Sequence, residues 1–220
     1  MIRNIGFILG QYGMVFVVGL GNTLWLSFVS VLIGSVFGII VAIAHMSKQP
    51  LLSRAFGVYI EILRGTPMLL QLYFFWLVLP KYLPDMPDVL CVLCALIVNA
   101  SAYIAEVIRA GIQAVDPGQR EAALSLGMTE KNIMSKIIFP QAIKNILPAL
   151  GNEVIVMIKE TSLASTFFVG ELMTAYRTVQ SATFLAVEPL CISGMIYLVL
   201  TIGLSRLTQR FEKRLKANDR

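Results

Sequence analysis

Long apolar segments alternate with short polar clusters along this chain. The apolar segments are continuous in sequence, which is typical of helices that are surrounded by other helices or by lipid. Segments that reach about 20 residues can cross the hydrocarbon core of a membrane, whereas shorter ones need flanking residues or polar positions inside the membrane. The segments lie near residues 13–44, 67–80, 89–105, 146–158 and 184–205.

The pattern predicts an all-α, polytopic membrane protein that forms a single transmembrane domain over residues 1–220. Within the second segment, Gly65-Thr66-Pro67 is expected to bend or break the helix, because Pro67 removes an internal hydrogen bond. No second domain and no sequence repeat is apparent. Five transmembrane helices are predicted, at about 13–45, 50–79, 88–112, 141–163 and 189–205.

Small residues recur every fourth position in the first predicted helix. Ser30, Gly34, Gly38 and Ala42 therefore lie on one face. Small side chains let the backbones of two membrane helices approach closely, which is the main packing device where lipid offers no hydrophobic driving force. We expect this face to contact another helix.

The charged residues lie mainly at the ends of the predicted helices. Of all residues, 57% are hydrophobic and 14% charged, against about a quarter charged in soluble domains. Lysine and arginine of short loops remain in the cytoplasm, and this rule predicts an external N-terminus and a cytoplasmic C-terminus. It also accounts for the net charge of +5 without nucleic-acid binding. The cations concentrate around 48–54, around 109–144 and in a basic tail at about 206–220.

A polar loop at about 114–140 interrupts the apolar pattern and has its own start and stop signals. Asp116 can cap a helix that begins with Pro117, and Gly127 suits the left-handed residue that ends it. Thr129 can cap a second helix, which is expected to end near Pro140. The loop is therefore predicted to form two short cytoplasmic helices joined at a glycine.

The same loop carries an ordered motif, Glu121-Ala122-Ala123, then Gly127, then Ile137 to Pro140. It resembles the EAA loop of type I ABC-importer permeases, with Phe139 in place of the usual leucine. Further stretches resemble the polar amino-acid uptake branch of that family. They are Gly21–Leu24, Glu61–Pro67, Tyr103–Glu106, Gly118–Ala123 and Lys159–Leu163.

The resemblance implies a permease subunit that is not itself an enzyme and that forms the pathway of an ATP-driven uptake system. Its expected partners are a second permease subunit, identical or similar, two ATPase subunits and an extracytoplasmic amino-acid-binding protein. ATP and Mg would be bound by the ATPase, since this chain has no phosphate-binding G-x-x-x-x-G-K-[ST] sequence. The residues expected to couple to the ATPase are Glu121, Ala122, Ala123, Gly127, Ile137 and Pro140.

The resemblance also implies a location in the bacterial plasma (inner) membrane. The binding protein would then dock on the external loops. Our candidates for that contact are the charged residues of the two predicted external segments, Asp85, Asp88, Glu171 and Arg177.

Polar side chains inside the third predicted helix share one face. Asn99, Tyr103 and Glu106 are spaced at i, i+4 and i+7. A carboxylate at membrane depth costs roughly 2.5–3.5 kcal/mol on insertion scales unless it meets a partner or water. Glu106 is therefore expected either to pair with Arg109, one helical turn away, or to line the translocation pathway.

The fourth predicted helix carries the longest polar stripe. Asn152 and Lys159 are seven residues apart, as are Glu153 and Glu160, so both pairs repeat after about two turns. Asn152 and Glu153 are our first candidates for substrate contact, with plain hydrogen bonding between helices as the alternative. Lys159, Glu160 and Thr161 are expected near the outer end, in a structural or gating role. Together with Asn99 and Tyr103 they are further candidates for the substrate pathway.

The family resemblance implies a polar or charged amino acid as substrate. The candidate pathway residues are mostly acidic, and this weakly favours a cationic amino acid. They are Glu106, Glu153 and Glu160, against the single cation of Lys159. An ion-coupled secondary transporter or channel, and a non-transporting membrane scaffold or receptor, are the alternative functions. Neither of them requires the EAA loop. No metal site is predicted, because Cys91 and Cys94 lie in an apolar run without further ligands.

Overall fold

The computed structural model describes residues 2–217, and within them the chain is helical without any strand, which confirms the all-α prediction. A π-helical turn (Met134–Ile138) and a 3₁₀-helix (Thr161–Phe167) flank α7. The predicted basic tail continues the last helix to residue 217, and residues 218–220 lie outside the described residues. The α-helices are α1 (Ile2–His45), α2 (Pro50–Gly65), α3 (Met68–Tyr82), α4 (Asp88–Gln113), α5 (Pro117–Ser125), α6 (Glu130–Ile133), α7 (Phe139–Glu160), α8 (Leu172–Thr183) and α9 (Val187–Ala217).

The 44-residue helix α1 packs along α4 at the centre of the fold. A Cβ atom built on Gly34 would lie 2.7 Å from the Cβ of Ala100, and one on Gly38 would lie 2.9 Å from Cγ2 of Ile104. Real Cβ atoms do not approach so closely, so only glycine permits this contact. The predicted small-residue face is therefore confirmed as a helix–helix contact.

Large apolar residues occupy both the interior and the outer surface. The main core, between α1, α3, α4 and the 3₁₀-helix, includes the buried side chains of Leu26, Leu72 and Leu96. On the outer face of α1, Phe28 and Ile43 are more than half exposed. An apolar exterior of this kind suits a lipid environment, where close packing and hydrogen bonds rather than burial hold helices together.

The chain breaks sharply between α2 and α3, as the Gly65-Thr66-Pro67 sequence predicts. The two helices are bent by 108° relative to each other. Gln71 Nε2 stabilises the break, because it donates to the carbonyl oxygen of Leu63 at 2.8 Å and to Thr66 Oγ1 at 2.9 Å. The backbone groups freed by Pro67 are thus satisfied inside the protein.

Three helices of the described residues, α1, α4 and α9, are long and apolar enough to cross a membrane. The bent pair α2–α3 raises that number to four if it forms one span. Helix α7 is not among them, because Lys144, Glu153, Lys159 and Glu160 lower its apolar character. The predicted number of five transmembrane helices and the orientation of the termini therefore remain predictions.

Candidate functional site

A cavity of about 310 Å³ opens beside the break between α2 and α3. The polar side chains on its wall are Thr66 at the break, Asn99 and Tyr103 on α4, and Glu153 and Glu160 on α7. We call it the acidic cavity, because its lining holds two carboxylates and neither lysine nor arginine. Its volume is at the lower end of the range for small-molecule sites.

Helix packing brings together two polar stripes that the sequence shows separately. Asn99 and Tyr103 are one turn apart on α4, and Glu153 and Glu160 are two turns apart on α7. These two helices pack against each other, so both stripes face the acidic cavity. Asn99 is held in place because its Nδ2 donates to Gln71 Oε1 at 2.9 Å.

Glu153 is the more deeply buried of the two carboxylates on this wall. Its side chain is buried, with a residual exposure of 7%. Among the described residues, its carboxylate has no hydrogen-bond donor and no ion-pair partner within contact distance, although the Arg64 guanidinium is near enough to attract it. A buried charge is unfavourable without a partner, so this carboxylate is suited to receive a cationic group in the cavity.

Glu106 lies elsewhere, in a charged cluster between α2 and α4. Arg109 Nε donates to Glu106 Oε2 at 2.8 Å, and Arg64 Nη1 lies 3.5 Å from Glu106 Oε1. The Arg64 guanidinium also stacks over the ring of Tyr103, 5.5 Å from its centroid. The predicted Glu106–Arg109 pair is therefore confirmed, and Glu106 does not line the acidic cavity.

Asn152 and Thr161 do not line the acidic cavity. Asn152 is exposed and does not line the acidic cavity, because consecutive residues on a helix point about 100° apart and Glu153 takes the inward position. Thr161 is fully buried, and its Oγ1 donates to the carbonyl oxygen of Ile158 at 2.7 Å. Lys159 is exposed and lines a second cavity.

Two of the four predicted contacts for a binding protein are exposed in the turn between α3 and α4. Asp85 adopts a left-handed conformation with φ of 65°. Asp88 begins α4 and accepts a hydrogen bond from Trp76 Nε1 at 2.8 Å. Both carboxylates are exposed, as a docking surface requires.

Glu171 cannot serve as an external contact in this structure, because it is completely buried. Its carboxylate caps α8 by accepting from the backbone N–H groups of Met173 and Thr174, both at 2.7 Å. It also accepts from Tyr197 Oη at 3.1 Å. Arg177 is partly buried and donates to the carbonyl oxygen of Ser165 at 3.3 Å.

The loop at 114–140 forms its first helix as predicted. Asp116 Oδ1 accepts from the N–H of Gly118 at 2.8 Å and caps α5. Gly127 has φ of +76° and ends α5 in a Schellman motif, with the N–H of Met128 bonded to the carbonyl oxygen of Ala123 at 3.1 Å. Ala123 is buried and anchors the loop, whereas Glu121 and Ala122 face outward.

An ion pair that the sequence does not reveal ties the two halves of the loop together. Arg120 Nη2 lies 2.6 Å from Glu130 Oε1. The hydrogen bond from Arg120 holds the pKa of the exposed Glu130 carboxyl below its ordinary value. The two residues are ten positions apart on different helices, and no local spacing rule links such a pair.

The second helix of the loop differs from the prediction. Thr129 precedes α6 but makes no side-chain capping bond, and the helix does not end near Pro140. Instead, the π-helical turn runs directly into α7, with the N–H of Phe139 bonded to the carbonyl oxygen of Met134. The wider turn accommodates Pro140 at the start of α7, where its missing N–H costs little. Ile137 lies within that turn.

Comparisons with known proteins agree on one family. The family model described as "Binding-protein-dependent transport system inner membrane component" matches residues 34–217. The arginine transport system permease protein ArtQ of Bacillus subtilis (strain 168) is 38% identical over 203 residues, which are 91% of this chain and 92% of that protein.

Another relative, the glutamine transport system permease protein GlnP of Escherichia coli (strain K12), is 32% identical over 200 residues, which are 90% of this chain and 91% of that protein. A chain from the crystal structure of an amino acid ABC transporter with histidines has a TM-score of 0.91 and 45% sequence identity, and the match covers 94% of this chain and 97% of that one.

Proposed function

Because the chain belongs to the family of binding-protein-dependent transport system inner membrane components, we propose that it is the permease subunit through which an ATP-driven importer takes up polar or cationic amino acids. The named relatives support this substrate class, since they are described as arginine and glutamine permeases and as an amino acid transporter.

The buried, unpaired carboxylate of Glu153 is the observation that carries the substrate proposal. Every amino acid brings an α-ammonium group, and a cationic one brings a second positive group in its side chain. Either group would supply the partner that Glu153 lacks in the acidic cavity. Glu160 adds a second carboxylate to the wall, and this favours a cationic substrate.

The loop at 114–140 is proposed to dock on a separate ATPase subunit, which binds the ATP and Mg. Glu121 and Ala122 present an exposed charge next to a small side chain, while the buried Ala123 and the turn at Gly127 fix the angle of α5. The continuous helix from α6 through α7 then connects the loop to the acidic cavity. From Phe139 to Glu153 the helix spans about 21 Å, so a shift of the loop is transmitted directly to that carboxylate.

The remaining partners follow from the family. A second permease subunit would complete the pathway, two ATPase subunits would drive it, and an extracytoplasmic binding protein would deliver the amino acid. Asp85 and Asp88 are our surface candidates for that contact, because both are exposed between α3 and α4. In this proposal the loop lies in the cytoplasm and the chain in the inner membrane, with an external N-terminus.

Reconstitution of the whole transporter tests the proposal. The chain, its partner ATPase and the binding protein are placed in proteoliposomes, and uptake of L-arginine, L-glutamine and L-histidine is measured with and without ATP. We expect ATP-dependent uptake of at least one, reduced roughly tenfold by Glu153→Gln through loss of a charge-assisted contact.

A matched variant, Asn152→Ala, changes the neighbouring exposed position and should retain uptake. Uptake that persists without the ATPase would point to an ion-coupled transporter or channel instead. Uptake that is unaffected by Glu153→Gln would remove this residue from the pathway while leaving the permease assignment intact.

A further inference from the structure

A second cavity, of about 410 Å³, lies beside the acidic one. Leu163 lines both cavities. The lining of this second cavity contains the cationic side chains of Lys159 and Arg177. It also contains hydroxyl groups, among them those of Ser162 and Thr166, and no carboxylate. We call it the basic cavity. Two adjoining cavities of opposite charge match the two charges that every amino acid carries.

The cationic groups of the basic cavity are available to a ligand. Lys159 is exposed, and within the part of the chain that the structure describes its ammonium group has no hydrogen bond or ion pair. Arg177 donates from Nη1 to the carbonyl oxygen of Ser165, which leaves most of its five N–H groups for other acceptors. Tyr197 also lines the cavity, but its hydroxyl donates to Glu171.

The acidic cavity offers the α-carboxylate of an amino acid no cationic side chain. Its lining contains Glu153 and Glu160, which repel a carboxylate, and the uncapped start of α3 at Met68, whose first N–H groups carry only a partial positive charge. Full positive charges lie only outside this lining. Arg64 stacks on the outer side of the wall residue Tyr103, and the basic cavity supplies two further cations and shares Leu163 with the acidic cavity.

The basic cavity also lies at the correct end of the molecule. Lys159 is 20 residues beyond Phe139 along α7, a distance of about 30 Å. It is therefore at the opposite end of α7 from the loop at 114–140. If that loop faces the cytoplasm, the basic cavity faces the side from which the amino acid arrives.

We propose that the basic cavity is a subsite for the α-carboxylate of the transported amino acid, with Lys159 and Arg177 as its counter-charges. This inference rests on the proposed function, because it requires an amino acid that enters from the side opposite the loop. A lipid phosphate is another anion with the same chemistry, and the experiment below separates the two sources.

The test compares an amino acid with its methyl ester, which lacks the carboxylate charge. The probe is whichever of L-arginine, L-glutamine and L-histidine the wild-type transporter imports. Equilibrium binding to the purified permease–ATPase complex is measured without the binding protein, in nanodiscs of phosphatidylcholine alone. We expect the wild type to prefer the acid over the ester by about tenfold, the effect of one charge-assisted hydrogen bond.

Lys159→Gln is the decisive variant, because the described structure gives its ammonium group no role in folding. We expect it to weaken binding of the acid and to leave binding of the ester unchanged, so that the preference for the acid falls to about twofold. Lys159→Arg should restore the preference. Lys81→Gln, at an exposed lysine that lines neither cavity, should behave as wild type.

Three results would overturn the subsite while leaving the importer intact. The first is a wild type that binds the acid and the ester equally well. The second is an equal loss of affinity for the acid and the ester in Lys159→Gln. The third is a preference for the acid that disappears when phosphatidylglycerol is added and the lipid occupies the cavity. A wild type that imports none of the three amino acids would instead refute the proposed function, and the subsite with it.

Discussion

Glu153 and Glu171 are both buried carboxylates, yet their surroundings give them opposite roles. Glu171 is fully buried and accepts four hydrogen bonds, from the backbone of Met173 and Thr174, from Thr174 Oγ1 and from Tyr197. Glu153 is almost as buried, but among the described residues it accepts none. The number of donors around a buried charge thus separates a structural carboxylate from one that is suited to bind a ligand.

Glu171 joins two helices, and the neighbouring Leu172 adds a contact with a third. Its carboxylate holds the first turn of α8 and the hydroxyl of Tyr197 on α9. Next to it, the N–H of Leu172 donates to Thr23 Oγ1 on α1 at 3.1 Å. The site is saturated by protein donors, so a solute could bind there only by displacing them.

The largest effect is expected from Glu171→Ala. It leaves the first N–H groups of α8 and the Tyr197 hydroxyl without their acceptor, and we expect a loss of about 3 kcal/mol of stability. The midpoint of thermal unfolding of the purified complex in detergent should fall by several degrees. Asp85→Ala, at an exposed acid, is the control. An unchanged midpoint for Glu171→Ala would contradict the distinction between the two carboxylates.

Gln71→Met should have the next largest effect. It removes the amide that bonds to Leu63, Thr66 and Asn99 across the break between α2 and α3. Because buried partners are left unsatisfied, we expect a loss of about 2 kcal/mol and a weaker affinity for the imported amino acid. Gln119→Met, at an exposed glutamine, should leave the unfolding midpoint where it is. Equal midpoints for the two variants would show that the break does not depend on Gln71.

Glu153→Gln should change stability in the opposite sense to Glu171→Ala. Since the carboxylate has no protein partner, its neutralisation is expected to leave the unfolding midpoint unchanged or raise it by a degree or two, while uptake falls. The same thermal measurement checks this. A midpoint that falls as far as that of Glu171→Ala would mean that Glu153 is a structural carboxylate as well.

The smallest effect is expected from Arg120→Gln in the exposed ion pair of the loop. The lowered pKa of Glu130 means that this pair is formed above the ordinary pKa of a glutamate and is lost as the pH falls through the lowered value. At neutral pH the variant should unfold like the wild type, because exposed pairs contribute little. We expect only a modest fall in the ATP-hydrolysis rate that the amino acid stimulates, and a large fall would assign the pair a part in coupling.

Much of the fold can be predicted from local rules. The break at Pro67, the left-handed Gly127, the cap at Asp116 and the close face around Gly34 each depend on the geometry of a few neighbouring residues. The pair of Glu106 and Arg109 is one helical turn apart and follows in the same way. The continuation of the helix past Pro140 is the exception. The local rule predicts that the helix ends there, and it does not anticipate the π-helical turn that joins α6 to α7.

The site could be predicted only in part. The seven-residue spacing on α7 marks a polar stripe, but it does not show which member turns inward. Packing against α4 points Glu153 into the cavity and leaves Asn152 outside. Gln71 and Arg64 were missed, because their partners lie on other helices and no short spacing connects them.

The sequence by itself determined the membrane-buried helices, their breaks and caps, and the loop that places the chain among the transporter permeases. These features depend on apolar length, backbone conformation and contacts within one turn. Only the tertiary structure decided which acids are satisfied. Glu171 precedes a helix and Glu153 lies within one, but neither position shows how many donors surround the carboxylate. Donors from α8 and α9 surround Glu171, while the break between α2 and α3 leaves a cavity beside Glu153.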